Sequence, residues 1–259
     1  MQIDLRGKTA LICGSTQGIG WATAKLLSTA GANCILVGRN EAALKGLLPQ
    51  LSGSGSHSFE LADFSKTNEV EAMISRLKDK APIHILINNT GGPKAGTALD
   101  AQPDQFLAAF QQHLICNHLL ATALVPGMKE QGYGRIINIV STSVRIPIAN
   151  LGVSNTIRAA VASWAKTLSN EIGAWGITVN SVLPGFTDTQ RLKSLIHSNS
   201  QQSGISEEEL ANTMKLSIPA KRFGTAEEIG NVVVFLASPL ASYINGVSIP
   251  VDGGKTGTI

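Results

Sequence analysis

The chain has 259 residues, of which 43% are hydrophobic and 15% charged, and its formal net charge is +3. This length suits one large domain or two small ones, and so mild a charge, without a basic cluster interleaved with aromatic residues, argues against a nucleic-acid partner. The low charged fraction indicates that much surface is buried, including between subunits.

Three cysteines, Cys13, Cys34 and Cys116, lie in apolar segments far apart in the sequence. Their odd number and spacing predict neither a disulfide framework nor a metal site. No apolar run reaches membrane-spanning length, so we expect no membrane partner. The first residues are charged and lead directly into a strand, unlike a secretory signal. These features together predict a cytoplasmic protein with reduced, buried thiols.

Apolar runs and helical patterns alternate along the whole chain. The predicted strands are 9–13, 33–37, 57–61, 83–87, 135–140, 177–182 and 246–251. The predicted helices are 21–30, 41–51, 67–80, 103–130, 152–174 and 225–237. This alternation predicts an α/β fold of the Rossmann type, a doubly wound, seven-stranded parallel sheet with helices on both faces. Without an internal repeat or a second core, residues 1–259 are predicted to form a single domain.

Three glycines follow the first predicted strand and precede a helix. Gly14 lets the chain leave the strand sharply, Gly18 lets the backbone approach a pyrophosphate, and Gly20 lets helix and strand pack closely. Free N–H groups at the helix N-terminus would hold the phosphates. The alternative is an ordinary strand-to-helix turn. The context of strand, turn and helix favours a dinucleotide site.

Further motifs follow in a fixed order and spacing. They are 88–91 (NNTG), 134–141 (GRIINIVS), 184–185 (PG), 221–230 (KRFGTAEEIG), 243–246 (YING) and 251–254 (VDGG). With the glycine turn 14–20 (GSTQGIG), they resemble the short-chain dehydrogenase/reductase family over nearly the whole chain. The resemblance is closest to the 3-oxoacyl-carrier-protein reductase-like branch.

The resemblance implies cofactor-binding roles at matching positions. The pyrophosphate and its ribose would be held by Gly14, Ser15, Gly18, Ile19 and Gly20, and the adenine would be contacted by Asp63. The ribose and the sheet edge would be bordered by Asn89, Thr90 and Gly91, and the nicotinamide amide or the phosphates would be contacted by Thr187 and Thr189. Each has a simpler alternative: Asp63 as a turn former, and the two threonines as helix caps.

The end of the second predicted strand bears on which dinucleotide binds. NAD sites place an acidic side chain there for the ribose hydroxyls, whereas this chain has Arg39 and no acid before Glu41. A guanidinium suits a 2′-phosphate. We therefore expect NADP(H) to be preferred over NAD(H), the alternative being a solvated surface arginine.

The family's chemistry uses an asparagine, a serine, a tyrosine and a lysine, and this chain departs from that set. The resemblance places Ser141 at the serine position, Ser154 at the tyrosine position and Arg158 at the lysine position. Counting back from Pro126 places His113, rather than Asn117, at the asparagine position. A short alcohol cannot replace a phenol as an acid, so a bridging water or His113 would deliver the proton. For a histidine in a long helix, packing is the alternative role.

The first functional hypothesis is an NADP(H)-dependent oxidoreductase that transfers hydride between nicotinamide and a small carbonyl or alcohol substrate. The alternatives are a dinucleotide-binding protein with little or no turnover, and a structural protein without a ligand. Intact cofactor motifs fit the first two hypotheses. The altered tyrosine and lysine positions keep the second one open.

Two long predicted helices, 103–130 and 152–174, carry apolar residues beyond one stripe. Such helices need burial on more than one side, so we expect a homo-oligomer, a dimer or tetramer, formed through them, with internal packing as the alternative. The polar segment 187–222 interrupts the alternation and is expected to be a substrate lid. Its basic residues would suit an anionic substrate or a solvated surface; they are Arg191, Lys193, Lys215, Lys221 and Arg222.

Overall fold

The computed structural model describes residues 3–77 and 82–258. Seven parallel strands form one sheet in the order β3-β2-β1-β4-β5-β6-β7. The strands are β1 (Thr9–Ile12), β2 (Asn33–Gly38), β3 (Ser58–Leu61), β4 (Ile85–Asn88), β5 (Gly134–Ile139), β6 (Ile177–Pro184) and β7 (Ser248–Val251). This order confirms the predicted doubly wound, seven-stranded sheet.

Nine α-helices connect or flank the strands in the described ranges. They are α1 (Gly18–Thr29), α2 (Glu41–Leu47), α3 (Thr67–Leu77), α4 (Pro103–Phe110), α5 (Cys116–Glu130), α6 (Gly152–Ile172), α7 (Gln190–Ser203), α8 (Glu207–Leu216) and α9 (Ala226–Ala237). No described helix is long and apolar enough to span a bilayer.

Two predicted helices differ from the structure, and two observed helices were not predicted. The helix predicted over 41–51 stops at Leu47 and continues as a 3-10 turn, because Pro49 cannot supply a helical N–H. The helix predicted over 103–130 is divided by a π-helical segment, Gln111–Ile115. The segment 187–222 contains α7 and α8, which the sequence analysis did not predict. Residues 78–80 of the helix predicted over 67–80 lie outside the described residues.

Both faces of the sheet are buried along the central strands β1, β4, β5 and β6, which explains the continuous apolar runs of these strands. In β1, Ala10 and Ile12 pack with α1 and α9, whereas Leu11 packs on the opposite face with α3, α5 and α6. Successive side chains alternate between faces, so one short strand contributes to both cores.

The three cysteines are buried and unpaired with one another. Burial raises the pKa of the Cys34 thiol to about 12 and that of Cys116 to about 11, and raises the pKa of Cys13 as well. These side chains therefore pack as small apolar groups, as the sequence predicted. Among the described residues, no group of three or more His, Cys, Asp or Glu side chains is arranged to hold a metal ion.

The strand order reverses between β1 and β4. The chain runs outward from β1 to β3 at one edge, then returns to place β4 on the other side of β1. Loops leaving the carboxyl ends of β1 and β4 therefore diverge and leave a crevice, which is where open α/β sheets bind ligands.

Candidate functional site

A cavity of about 950 Å³ occupies this crevice. Its walls come from the loops that follow all seven strands at their carboxyl ends and from the N-terminal parts of α6 and α7. A volume of this order holds an extended cofactor together with a small substrate. The cavity therefore collects residues from Gly14 to Thr256, 242 positions apart in the chain.

The glycine turn forms one end of the cavity, and its three glycine positions cannot accept a larger residue without strain or a steric clash. Gly14 and Gly18 have φ of +58° and +54°, a region that favours glycine. A Cβ on Gly20 would lie 2.2 Å from the carbonyl oxygen of Gly14. The Asn89 side chain fixes the turn by donating from Nδ2 to the carbonyl oxygens of Cys13 (3.2 Å) and Gly14 (3.1 Å). This close backbone packing is the cradle that a pyrophosphate needs.

Two predicted cofactor residues in this turn do not line the cavity. Ser15 is fully buried, and its hydroxyl donates to the carbonyl oxygen of Val37 (3.2 Å) and accepts from the N–H of Val37 (3.0 Å). Gly20 lies behind the turn, where it permits close packing. Thr16 and Gln17, which the sequence analysis did not name, line the cavity beside Gly18 and Ile19. Ser15 therefore joins β1 to β2.

Arg39 and Asp63 lie together at the far end of the cavity. The Arg39 side chain is 75% exposed, and its Nη1 is 3.7 Å from Oδ2 of Asp63. Burial acts to raise the pKa of Asp63, but hydrogen bonds from Ser65 and the charge of Arg39 outweigh it and hold the pKa below its usual value. The Ser65 N–H and hydroxyl both bond to Oδ1 (2.9 and 2.8 Å), so Asp63 also forms the predicted turn.

The residue at the predicted asparagine position is held away from the cavity. His113 lies in the π-helical segment, is 2% exposed, and its Nδ1 is 2.5 Å from Oγ1 of Thr90. Burial, with a smaller contribution from the charge of Arg158, lowers the pKa of His113 to about 2. The ring is therefore neutral near pH 7 and supports the loop that carries Thr90 and Gly91.

Arg158 joins the ends of two strands. Its Nη1 donates to the carbonyl oxygen of Ile139 (2.9 Å) after β5, and its Nη2 donates to that of Thr90 (3.4 Å) after β4. Burial, with a smaller effect of Arg191, lowers the pKa of Arg158 to about 10, so the guanidinium stays charged near pH 7. Arg158 lines the cavity one helical turn after Ser154 on α6.

Ser141 and Ser154 face the same cavity as Arg158. Ser141 caps a short 3-10 turn, where its Oγ accepts from the N–H of Ser143 (3.1 Å). Its O–H hydrogen remains available to a ligand. The structure thus brings three of the four predicted catalytic residues to one wall, while His113 lies behind it.

Thr187 and Thr189 line the cavity opposite the glycine turn. The Thr187 hydroxyl donates to the carbonyl oxygen of Gly185 (3.1 Å). Thr189 caps α7, with Oγ1 accepting from the N–H of Leu192 (3.4 Å), and its methyl group lies 3.3 Å from where a Cβ on Gly18 would stand. Thr189 therefore both caps a helix and closes the cavity over Gly18.

Arg191 is a cavity residue that the sequence analysis did not single out from the other basic residues of 187–222. Its Nη2 donates to the carbonyl oxygen of Pro93 (2.6 Å), which ties the start of α7 to the loop after β4. Arg191 lies two residues after Thr189, a candidate cofactor residue, and this proximity in sequence was the signal that could have placed Arg191 in the cavity.

Comparison with known proteins places this geometry in context. A family model described as enoyl-(acyl carrier protein) reductase matches residues 14–256. The chain is 36% identical over 255 residues to a 3-oxoacyl-[acyl-carrier-protein] reductase of Rickettsia felis, covering 97% of this chain and 98% of the relative. It is 32% identical over 253 residues to a D-beta-hydroxybutyrate dehydrogenase of Cupriavidus necator, covering 96% and 98%.

A solved structure shares the whole fold. The L-sorbose reductase of Gluconobacter frateurii, in complex with NADPH and L-sorbose, superimposes with a TM-score of 0.94 at 29% identity, covering all of both chains.

Proposed function

The chain belongs to the short-chain dehydrogenase/reductase family, and from this premise we propose that it is an NADP(H)-dependent oxidoreductase that transfers hydride between nicotinamide and a small carbonyl or alcohol. The observation that carries the proposal is the single cavity that joins the glycine turn to Ser141 and Arg158. The named relatives are reductases and dehydrogenases, which does not favour the alternative of a binding protein with little or no turnover.

The residues at the cavity's cofactor end fit a dinucleotide phosphate. Gly14 and Gly18 line the cavity with backbone alone, which lets a pyrophosphate approach the N–H groups of the turn and the helix N-terminus. Arg39 supplies a positive charge where a 2′-phosphate would bind, and the L-sorbose reductase, to which the chain is similar, was crystallised with NADPH. When bound, the nicotinamide supplies or accepts the hydride.

The chain's own residues then orient the substrate and control the proton. Ser141 donates its free O–H to the substrate oxygen, and Arg158 holds the nicotinamide ribose hydroxyls with a fixed charge. Ser154 lines the cavity on the same wall, which supports a water held by its hydroxyl as the route for the proton. The burial and low pKa of His113 support a positioning role through Thr90.

We further propose a cytoplasmic homotetramer with 187–222 as its substrate lid. Free thiols favour a reducing compartment. Leu107 and Phe110 on α4 are 69% and 39% exposed, which supports burial of this helix face between subunits. The cavity contacts of α7 support the lid. Light scattering should give a mass near four chains.

The proposed activity is tested by titration and turnover. Protein mixed with NADPH and a panel of small ketones should consume NADPH, followed by its absorbance. NADPH should bind more tightly than NADH. Tight NADPH binding without turnover on any carbonyl would instead favour the binding-protein alternative, and indifference to both dinucleotides would exclude both functions.

A further inference from the structure

The structure divides the basic residues of 187–222 into two groups. Four of the five make contacts with the protein and do not line the cavity: Lys193 with Asp188 (3.7 Å), Lys215 over the Phe223 ring (5.4 Å), Lys221 with the Leu216 carbonyl oxygen (2.7 Å), and Arg222 with Glu228 (2.6 Å). Arg191 alone of the five lines the cavity. If the positive charge of this segment contacts a ligand in the cavity, Arg191 is therefore the residue that supplies it.

Arg191 meets Arg158 above the loop after β4. A Cβ built on Gly92 would lie 3.6 Å from Nη2 of Arg191 and 3.7 Å from Nη2 of Arg158. The two guanidinium groups therefore converge on the same small space, which the missing side chain of Gly92 leaves open. Ser141 and Ser154, the residues proposed to act on the substrate, line the same cavity, and Arg158 lies one helical turn after Ser154 on α6.

Neither guanidinium group has a negative partner in the described parts of the chain. Arg158 donates to two carbonyl oxygens and Arg191 to one, and no ion pair in residues 3–77 and 82–258 includes either side chain. Within those residues, Asp63 is the one acidic side chain that lines the cavity, and it lies beside Arg39. Two like charges therefore face each other without compensation.

We propose that the substrate carries a carboxylate, which Arg191 binds beside Gly92, while Arg158, whose remaining N–H groups would hold the nicotinamide ribose, supplies a second positive charge facing it. The inference rests on the proposed function, since the carboxylate would place the substrate carbonyl next to Ser141. Each guanidinium has five N–H donors in a planar fork that matches a carboxylate, and most of these donors have no protein acceptor. An anion in this space relieves the repulsion between the two cations.

The cofactor's own diphosphate is the competing anion, and the geometry favours the substrate. Thr189 stands against Gly18 of the glycine turn, whereas Arg191, half a helical turn further along, stands against Gly92. The cavity lining also includes Ile146 and Ile148, which suit the carbon chain of a small acid rather than a phosphate group.

The test measures anion binding without requiring turnover. Protein saturated with NADP⁺ is titrated with acetoacetate and with its neutral methyl ester, using isothermal titration calorimetry. We expect one acetoacetate site per chain and at least about tenfold weaker binding of the ester. Arg191→Gln should weaken acetoacetate binding by about tenfold or more and leave ester binding unchanged. Lys193→Gln, which removes a charge from the same helix outside the cavity, should change neither.

Three results would overturn the inference. They are equal binding of acid and ester, equal effects of Arg191→Gln and Lys193→Gln, and loss of NADP⁺ affinity in Arg191→Gln, which would assign Arg191 to the cofactor diphosphate. Turnover assays with NADPH and both carbonyls separate this inference from the proposed function. Selective acetoacetate binding without hydride transfer would refute the activity alone, and efficient reduction of the ester unaffected by Arg191→Gln would refute the carboxylate site alone.

Discussion

Replacing Arg39 with glutamine should greatly reduce the ratio of NADPH affinity to NADH affinity. The Arg39 guanidinium lies at the end of β2, is mostly exposed, and has only a loose ion pair with Asp63 at 3.7 Å. The glutamine keeps a polar side chain but removes the charge that would face a 2′-phosphate. NADH has a hydroxyl at that point, so its binding should change little.

The expected size of the effect follows from Coulomb's law. Two unit charges about 4 Å apart attract by about 1 kcal/mol in bulk water and about 4 kcal/mol near a partly screened protein surface. The exposure of Arg39 places the interaction in the lower half of that range, and breaking an exposed pair with Asp63 costs little. A loss of about 1–2 kcal/mol corresponds to about 5–30-fold weaker NADPH binding.

The assay is a fluorescence titration of both cofactors against wild type, Arg39→Gln and Lys45→Gln. Lys45 is an exposed cation close by on α2 that pairs with Glu41 at 2.8 Å, so it controls for general loss of charge. The ratio of NADPH to NADH affinity should fall in Arg39→Gln alone, and less so in high salt. An unchanged ratio, or equal weakening of both cofactors, would refute the assignment of Arg39 to the 2′-phosphate.

Three further predictions concern the turn, the cavity wall and the buried histidine. Gly20→Ala should lower stability by about 1–3 kcal/mol in urea unfolding, because its Cβ meets the Gly14 carbonyl, while Gly46→Ala, a helical site with nothing within 4 Å, should raise it by about 0.5–1 kcal/mol. Equal effects would contradict this. Ser141→Ala should reduce kcat by about 10²-fold with NADPH affinity kept, and an unchanged kcat would remove Ser141 from the chemistry. The neutral His113 ring takes up a proton only on unfolding, so below about pH 6.5 wild-type stability should fall relative to His113→Asn by up to about 1.4 kcal/mol per pH unit. A difference between the two proteins that stays constant with pH would contradict the burial argument.

The parts of the fold that were predictable have local causes. The continuous apolar run of β1 reflects burial on both faces of a parallel sheet, which a sequence displays directly. Thr225 and Glu228 form a capping box at the start of α9, and both halves of that motif lie within four residues of sequence. The glycine turn was readable for the same reason.

The parts that were missed depend on distant or weak signals. α7 buries only Leu192 and Ile196, so it shows too narrow an apolar stripe to predict a helix. The π-helical segment Gln111–Ile115 leaves the apolar pattern of its neighbours nearly unchanged. The convergence of Arg158 and Arg191 on Gly92 depends on how α6, α7 and the loop after β4 meet, which no local sequence pattern shows.

The burial of all three native thiols makes it possible to label this protein at one chosen site and so to measure its conformational changes. Reagents that attack thiolates will leave the folded chain unlabelled, since every native cysteine is buried and has a raised pKa. A cysteine introduced at the exposed position of Gln201→Cys on α7 would then be the single reactive site. One dye attached there would report on α7 as NADPH and an acid are added, with the native sequence otherwise intact.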